Sequence, residues 1–289
     1  MTPTVDDPVL LEIISRVPLL SGAANLVVSV LPGGLSNASY KAEADGVECV
    51  IRITGENGRT LGLDRAREAA VLAAAQSAGI SPEVLAFFLP EGHCVTRYVA
   101  SGKALTREQF EAPDTIARVA QRLRDIHALD SVAGSFDAWT DIRSWMSIAD
   151  AKGLQRPGRL NALLDRVFEI QRSLASERMV EPVLCHNDPY HRNFLDDGTL
   201  WVIDWEFAGM GDPLYDLAAV AYSFESEQRD LLLASYYGDV DPLIRHQLDD
   251  LIVVYLCWCV VWSVLQIDDG IIDCDFAKLA ESYLDMVEQ

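Results

Sequence analysis

Asp188, Asn193 and Asp204 are the side chains in this sequence best placed to act together on one reaction. Asp188 and Asn193 lie in the run His186-Asn187-Asp188-Pro189-Tyr190-His191-Arg192-Asn193, and Asp204 lies in Val202-Ile203-Asp204-Trp205-Glu206. Between them Asp197-Gly198 marks a tight hairpin that folds Asp204 back toward Asn193. A carboxylate, an amide and a second carboxylate form a set of hard oxygen ligands. One carboxylate can orient, and deprotonate, a hydroxyl; the other two groups can hold magnesium against phosphates. Phosphoryl transfer asks little more of a protein than this positioning and charge neutralisation. Other chemistries lack their residues: no histidine or cysteine set has metal-ligand spacing, and no Gly-x-Ser-x-Gly elbow is present.

The elements that position these groups divide the chain in two. A short helix leads in through Leu20, with Ile13, Ile14 and Val17 on one face. Strands follow at Leu26–Leu31, Ala38–Ala44 and Val47–Ile53, the last two joined through Asp45-Gly46. Asp64 caps a helix over Arg65–Ala78 that closes at Gly79, and strands return at Val84–Phe88 and His93–Val99. Beyond Gly102 helical periodicity takes over. Ile116, Val119, Ala120, Leu123 and Ile126 form one buried face behind Pro113, and further helices are expected over Ile142–Asp150, Leu160–Ser176, Pro213–Phe224, Gln228–Tyr236, Pro242–Ile267 and Phe276–Val287. The boundary falls between Val99 and Lys103, giving units of residues 1–99 and 100–289, with the Asp188–Asp204 stretch a small β-loop insertion in the second. No internal repeat is present.

The motifs resemble a known family. His186-Asn187-Asp188 followed by Asn193, then Ile203-Asp204-Trp205-Glu206, then Gly211-Asp212-Pro213-Leu214-Tyr215-Asp216-Leu217-Ala218, are similar to the signatures of the aminoglycoside phosphotransferase and choline kinase superfamily, relatives of the protein kinases. The interval of four residues between Asp188 and Asn193 matches the kinase catalytic loop. The resemblance implies an α+β, two-lobed protein-kinase-like fold: a small lobe with an antiparallel sheet and one main helix, a larger helical lobe, and ATP between them. It implies that Asp188 is catalytic and that Asn193 and Asp204 bind Mg2+. Gly33, Gly34, Leu35, Ser36 and Asn37 become the nucleotide-phosphate loop, although Gly33-Gly34 alone reads as a plain hairpin turn. Arg52, paired with Glu68, takes the place of the phosphate-binding lysine; read from the residues alone, the two can be unconnected surface charges. The backbone of Arg97, Tyr98 and Val99 becomes the adenine hinge. Asp216 braces the catalytic loop, His186 and His127 serve structure, and His191 lies within reach of substrate.

For the acceptor, Gly33-Gly34-Leu35-Ser36-Asn37-Ala38-Ser39-Tyr40 and Trp262-Ser263-Val264-Leu265-Gln266 resemble the choline and ethanolamine kinase branch. Trp258 and Trp262 are four residues apart and share a helical face, so they can form an aromatic wall for a quaternary ammonium through cation–π attraction. An aromatic stripe on so apolar a helix can equally be core. The acidic residue that family members carry after the downstream signature is missing: Ala219–Phe224 offers Tyr222 and Phe224 as aromatics, and Glu206 supplies a charge either there or at the metal. The expected activity is a small-molecule kinase that phosphorylates a small amino alcohol, choline or ethanolamine. The alternatives are an aminoglycoside or other small-alcohol phosphotransferase, or a nucleotide-binding module without catalysis.

Composition agrees with a soluble enzyme of this kind. Of 289 residues half are hydrophobic, and the net charge is −21, which repels nucleic acid and attracts cations such as magnesium or a cationic alcohol. The six cysteines stand mostly in apolar runs and read as small buried hydrophobes in a reducing, cytoplasmic compartment. Met1–Asp7 shows no secretory pattern. The apolar run Leu251–Ile267 is interrupted by Ser263 and Gln266 and flanked by Asp249, Asp250, Asp268 and Asp269, which suits a buried helix rather than a membrane span. Oligomeric state leaves no signature.

Overall fold

The computed structural model describes residues 5–55, 58–267 and 274–288. The first four residues of the expected leader and the flanking pair Asp268 and Asp269 lie outside the described residues. The chain enters through α1 (Pro8–Arg16), capped by the Asp7 carboxylate, which accepts from Val9 N at 2.8 Å. The helix expected to run on to Leu20 breaks at Pro18, which lacks an N–H and holds Val17 extended; α2 (Pro18–Ser21) restarts it.

Five antiparallel strands follow: β1 (Leu26–Leu31), β2 (Asn37–Ala44), β3 (Val47–Thr54), β4 (Val84–Phe88) and β5 (His93–Arg97), in the order β1-β2-β3-β5-β4. Asp45 and Gly46 both take positive φ, 51° and 84°, and Ala44 pairs with Val47, so the Asp-Gly step forms a two-residue hairpin. Strand alternation then sorts the faces. Cys49, Ile51 and Ile53 of β3 bury with Tyr40, Ala42 and Val95 beneath α1 and α2, in a core of their own. Arg52, one residue out of phase, faces the other way. On that side packs α3 (Arg65–Ser77), capped by Asp64, whose Val71, Leu72 and Ala75 join the core of the rest of the molecule.

Strand β5 stops at Arg97, two residues short of Val99, because there the backbone leaves the ladder: Arg97 N donates to Glu83 O at 2.7 Å and Tyr98 N to Glu48 O at 3.1 Å. The next strand, β6 (Lys103–Ala104), pairs with β8 (Phe194–Asp196), which pairs with β9 (Leu200–Val202). A second short pair joins β7 (Val183–Cys185) to β10 (Gly209–Gly211). These strands are too short to stand out in the sequence; they form the platform under Asp188 and Asp204.

Helices make up the remainder: α4 (Arg107–Phe110), α5 (Pro113–His127), α6 (Ala138–Lys152), α7 (Leu160–Glu177), α8 (Pro213–Ala221), α9 (Ser226–Tyr237), α10 (Pro242–Gln266) and α11 (Phe276–Val287). Helix α10 packs against α6, α7, α8, α9 and α11. It is long and apolar enough to cross a membrane, with a mean hydropathy of 1.9, but 89% of that stretch is buried inside the protein, so it is a core helix. Each large apolar side chain it buries contributes roughly 1.5–3 kcal/mol, enough to fix its rotation against its neighbours.

Candidate active site

The stretch from His186 to Asn193 is held by its backbone before any side chain acts. Asp212 caps α8, placing Asp216 in the first turn, where its carboxylate accepts His186 N at 2.8 Å and Asn187 N at 2.6 Å. His127 Nε2 meets the same carboxylate at 3.0 Å. Asn187 takes a positive φ of 68°, a conformation most side chains avoid, and anchors itself by donating Nδ2 to Phe207 O at 3.0 Å. His186 donates through Nε2 to Ile203 O at 3.0 Å and lies 4.8 Å from the Trp205 ring, while its Nδ1 accepts from Asp188 N at 3.3 Å. Burial lowers its pKa, in keeping with a neutral ring whose two nitrogens are both used. This histidine supports the loop.

The hairpin β8–β9 does what its Asp-Gly turn promised. Phe194 pairs with Val202, and Ile203 N donates to Asn193 O at 3.0 Å, which sets Asp204 beside Asn193. Asp204 also has a positive φ, 67°. Asn193 donates Nδ2 to Asp188 O at 2.9 Å and lies 3.5 Å from Asp188 Oδ2, leaving the amide oxygen outside those bonds. Asp188, Asn193 and Asp204 thus converge.

On one side of them lies a dense charge network. Arg52 pairs with Glu68, bonds Asp204 Oδ1 at 3.2 Å and donates to Gly92 O at 3.1 Å. Arg65, which the sequence reading used only as the start of a helix, bonds Glu68 Oε2 at 2.7 Å and Glu206 Oε2 at 3.3 Å and is itself buried. Gly92 is required here: it has φ 85°, and a Cβ would collide with the Arg65 side chain. Asn37 donates Nδ2 to the same Glu206 oxygen at 3.2 Å. Gly34 is likewise fixed, since a Cβ there would strike Asn37 O. Gly33 has φ 112°, and Leu35 packs partly against the larger core; Ser36 completes the loop between β1 and β2.

Glu206 corrects an expectation. As a charge for the acceptor it would need to face the Asp188 side, yet it is sealed between Arg65 and Asn37, only 3% exposed. Burial pushes it up to about 7, with Asp204 adding to the rise and Arg52 and Arg65 opposing it. Burial likewise raises Asp204. For Arg52, burial disfavours the charge, but Glu68 and Asp204 outweigh it and raise its pKa.

The segment from Arg97 to Val99 turns its Arg97 and Tyr98 side chains away from the Arg52–Asp204 network. The Arg97 side chain turns outward to Glu83, with Nε donating to Oε2 at 2.9 Å, and the Tyr98 ring lies 4.3 Å from Lys41 Nζ. Val99 begins the turn to Gly102, whose N donates to Val99 O at 3.0 Å.

On the other side of Asp188 the surroundings are aromatic. Tyr255 of α10 donates its hydroxyl to Asp188 Oδ1 at 2.7 Å. Its ring lies 5.6 Å from Tyr222 and 6.0 Å from Tyr215, and it stacks on Trp258 at 6.2 Å with 16° between planes. Trp258 itself is enclosed by Trp145, Phe207 and Phe136, and donates Nε1 to Asp141 Oδ2 at 3.2 Å. The expected aromatic wall therefore loses this member: with rings on every side, Trp258 is core and backs Tyr255. Trp262 packs edge-on against Phe276 at 5.8 Å, and its Nε1 is buried without a hydrogen-bond partner among the described residues. His191 sits against Phe110 and Tyr190; burial, with Arg192 and Arg107 adding, lowers it to about 4. Burial raises Asp188 well above the usual carboxylate range; Tyr255 opposes the rise, and Asp204, Glu206 and Asp216 add to it.

A sheet-bearing amino-terminal unit packed on a helical one, with Asp188, Asn193, Asp204 and the Arg52–Glu68 pair at their junction, is the architecture of a kinase-fold phosphotransferase. The chain belongs to the phosphotransferase enzyme family, whose pattern matches residues 27–243. It is 28% identical over 213 residues to the protein LicA of Haemophilus influenzae, an alignment covering 71% of this chain and 61% of that protein. With the ethanolamine kinase of Saccharomyces cerevisiae it shares 23% identity over 237 residues, 67% of this chain and 44% of the yeast protein. The structure superposes with a TM-score of 0.80 on a choline/ethanolamine kinase family protein from Mesorhizobium loti, at 27% identity, covering 95% of this chain and 91% of that one.

Proposed function

We propose that this protein is an ATP-dependent kinase that phosphorylates the hydroxyl of a small amino alcohol, choline or ethanolamine, with residues 1–99 as the nucleotide lobe and 100–289 carrying the catalytic loop and acceptor site. The convergence of Asp188, Asn193 and Asp204 beside the Arg52–Glu68 pair carries the reaction; the names of the relatives in yeast and Mesorhizobium point to the acceptor.

The donor set fits magnesium. Asn193 and Asp204 offer an amide and a carboxylate oxygen, and Asp204 keeps a side-chain exposure of 34% that opens it toward the cleft. The raised pKa values of Asp188, Asp204 and Glu206 mark a cluster of partly or fully buried carboxylates whose crowded negative charge a divalent cation would relieve. When bound, the ion neutralises charge on the phosphates. Arg52, held by Glu68, presents a guanidinium to the same phosphates, and the glycine-bearing loop from Gly33 to Asn37 covers them. The backbone from Arg97 to Val99 receives adenine. Asp188, with Oδ1 engaged by Tyr255, offers Oδ2 to the acceptor hydroxyl, orients it for in-line attack and takes its proton. Tyr222 and Trp262 flank the acceptor's amine.

ATP turnover measured with choline, ethanolamine, related amino alcohols and a set of aminoglycosides tests the reading. Turnover with the amino alcohols is expected; activity confined to the antibiotics would overturn the acceptor assignment while leaving the phosphotransferase intact.

A further inference from the structure

The bond from Tyr255 to Asp188 has the chemistry of the interaction that an acceptor alcohol makes. A hydroxyl donates at 2.7 Å to the carboxylate expected to activate hydroxyls. We propose that Tyr255 is a positioning residue that occupies Asp188 Oδ1 permanently and so restricts catalysis to an acceptor bound at Oδ2, keeping water from being activated against ATP. This rests on the phosphotransfer reading above.

The geometry supports a fixed partner rather than a substrate mimic that moves aside. The Tyr255 side chain is 3% exposed, its ring is stacked on Trp258, and Tyr222 and Tyr215 crowd its edges. Trp258 is in turn tied by its indole N–H to Asp141, and α10 is buried among α6, α7, α8 and α11. The phenol therefore cannot swing away without disturbing the core. Among the described residues Asp188 Oδ2 meets only the long 3.5 Å approach of Asn193 Nδ2, so one carboxylate oxygen is bound and one is open. A small alcohol held by its amine can present a hydroxyl to that single oxygen, whereas a water, with no such anchor, is held there poorly. Removing the phenol oxygen frees Oδ1 and leaves a space of water size beside it. With Oδ1 released, a water on the open Oδ2 side can be held by both carboxylate oxygens and attack the γ-phosphorus: its oxygen forms the new P–O bond, the bond to the β–γ bridging oxygen breaks, ADP departs, and the water proton passes to Asp188.

The test compares the full-length chain with Tyr255→Phe, following ADP release with Mg-ATP alone and, in parallel, phosphorylated alcohol by mass spectrometry. The expected result is acceptor-free ADP release about fivefold or more above wild type, product formation about tenfold lower, and a KM for ATP changed by less than about twofold. Circular dichroism and thermal melting establish that the variant is folded at the assay temperature. Tyr255→His, which keeps a ring N–H, serves as a second variant and is expected to hydrolyse ATP more slowly than Tyr255→Phe. If acceptor-free hydrolysis is unchanged or lower in folded Tyr255→Phe, the proposal fails. The acceptor-free rate needs no knowledge of the alcohol, so an error in the choline or ethanolamine assignment shows in the acceptor panel and not here.

Discussion

The two flanks of Asp188 are built from opposite materials. Toward Asp204 the site is a lattice of buried charge: Arg52 and Arg65 from the amino-terminal unit bind Glu68 of their own unit and reach across to Asp204 and Glu206, with Asn37 adding a third donor. Toward Tyr255 a single hydrogen bond ends a stack of rings anchored in the helical core. The charged flank draws its partners from β2, β3, α3 and the segment after β9, so its integrity depends on the two units staying together. The aromatic flank comes from α8 and α10 and depends on packing within one unit. A buried ion network is costly when one member is removed, because the partner stays buried and uncompensated. Loss of one ring hydroxyl from a packed stack costs much less.

The largest effect should come from the group both flanks share. Asp188→Ala is expected to lower turnover by about 10³-fold or more while nucleotide binding stays largely intact, read by steady-state assay and by nucleotide titration. Turnover near wild type would remove Asp188 from the reaction. On the charged flank, Asp204→Ala should weaken magnesium-dependent nucleotide binding by about 10²-fold, seen by titrating ATP at several Mg2+ concentrations. A smaller effect is expected for Asn37→Ala, which leaves Arg65 as the other donor to Glu206: a loss of about 1 kcal/mol in stability and a KM for ATP raised several-fold. A double-mutant cycle with Glu206→Gln should be non-additive; strict additivity would mean that the cross-unit contact does not couple the two residues.

The smallest prediction lies behind the aromatic flank. Asp141, half-buried beneath Trp258, is pushed by burial from its ordinary 3.8 up to about 6, with the Trp258 N–H working against the rise. Because the folded form holds its proton to higher pH than the unfolded form, the stability tied to this group is complete below about pH 4 and declines as pH rises through about 6. Asp141→Asn keeps an acceptor for the indole and removes the charge. It should raise the melting point at pH 8, by about 1 kcal/mol in stability, and leave it unchanged at pH 4. A gain of equal size at both values would show that the carboxylate is not buried in the way described.

Much of the charged flank can be read without coordinates. Asp188, Asn193 and Asp204 lie within a short span joined by a hairpin, so local chain geometry alone nearly brings them together. The bracing role of Asp216 was expected only through the family resemblance, and its place in the first turn of the helix that begins at Pro213 brings its carboxylate to the His186 and Asn187 N–H groups. The Arg52–Glu68 pair was expected as well, though only through the order of motifs. Arg65 is missed, although its spacing of three residues before Glu68 is the helical signal that would have found it. The direction of Glu206 is missed too, because a single acidic residue after Asp204 gives no sign of which flank it faces.

What the sequence by itself determined is the phosphotransferase family, the antiparallel opening sheet and the helical remainder, because those depend on short-range spacing: motif intervals, turns, caps and the alternation of buried and exposed positions. Tertiary structure alone decided which aromatic residue of α10 meets Asp188. Tyr255, Trp258 and Trp262 lie within two turns of a helix that is buried on almost every side, so hydropathy offers no polar face from which to read its rotation. That rotation is set by how α6, α8 and α11 pack around it, and it turns Tyr255 rather than Trp258 toward the Asp188 carboxylate.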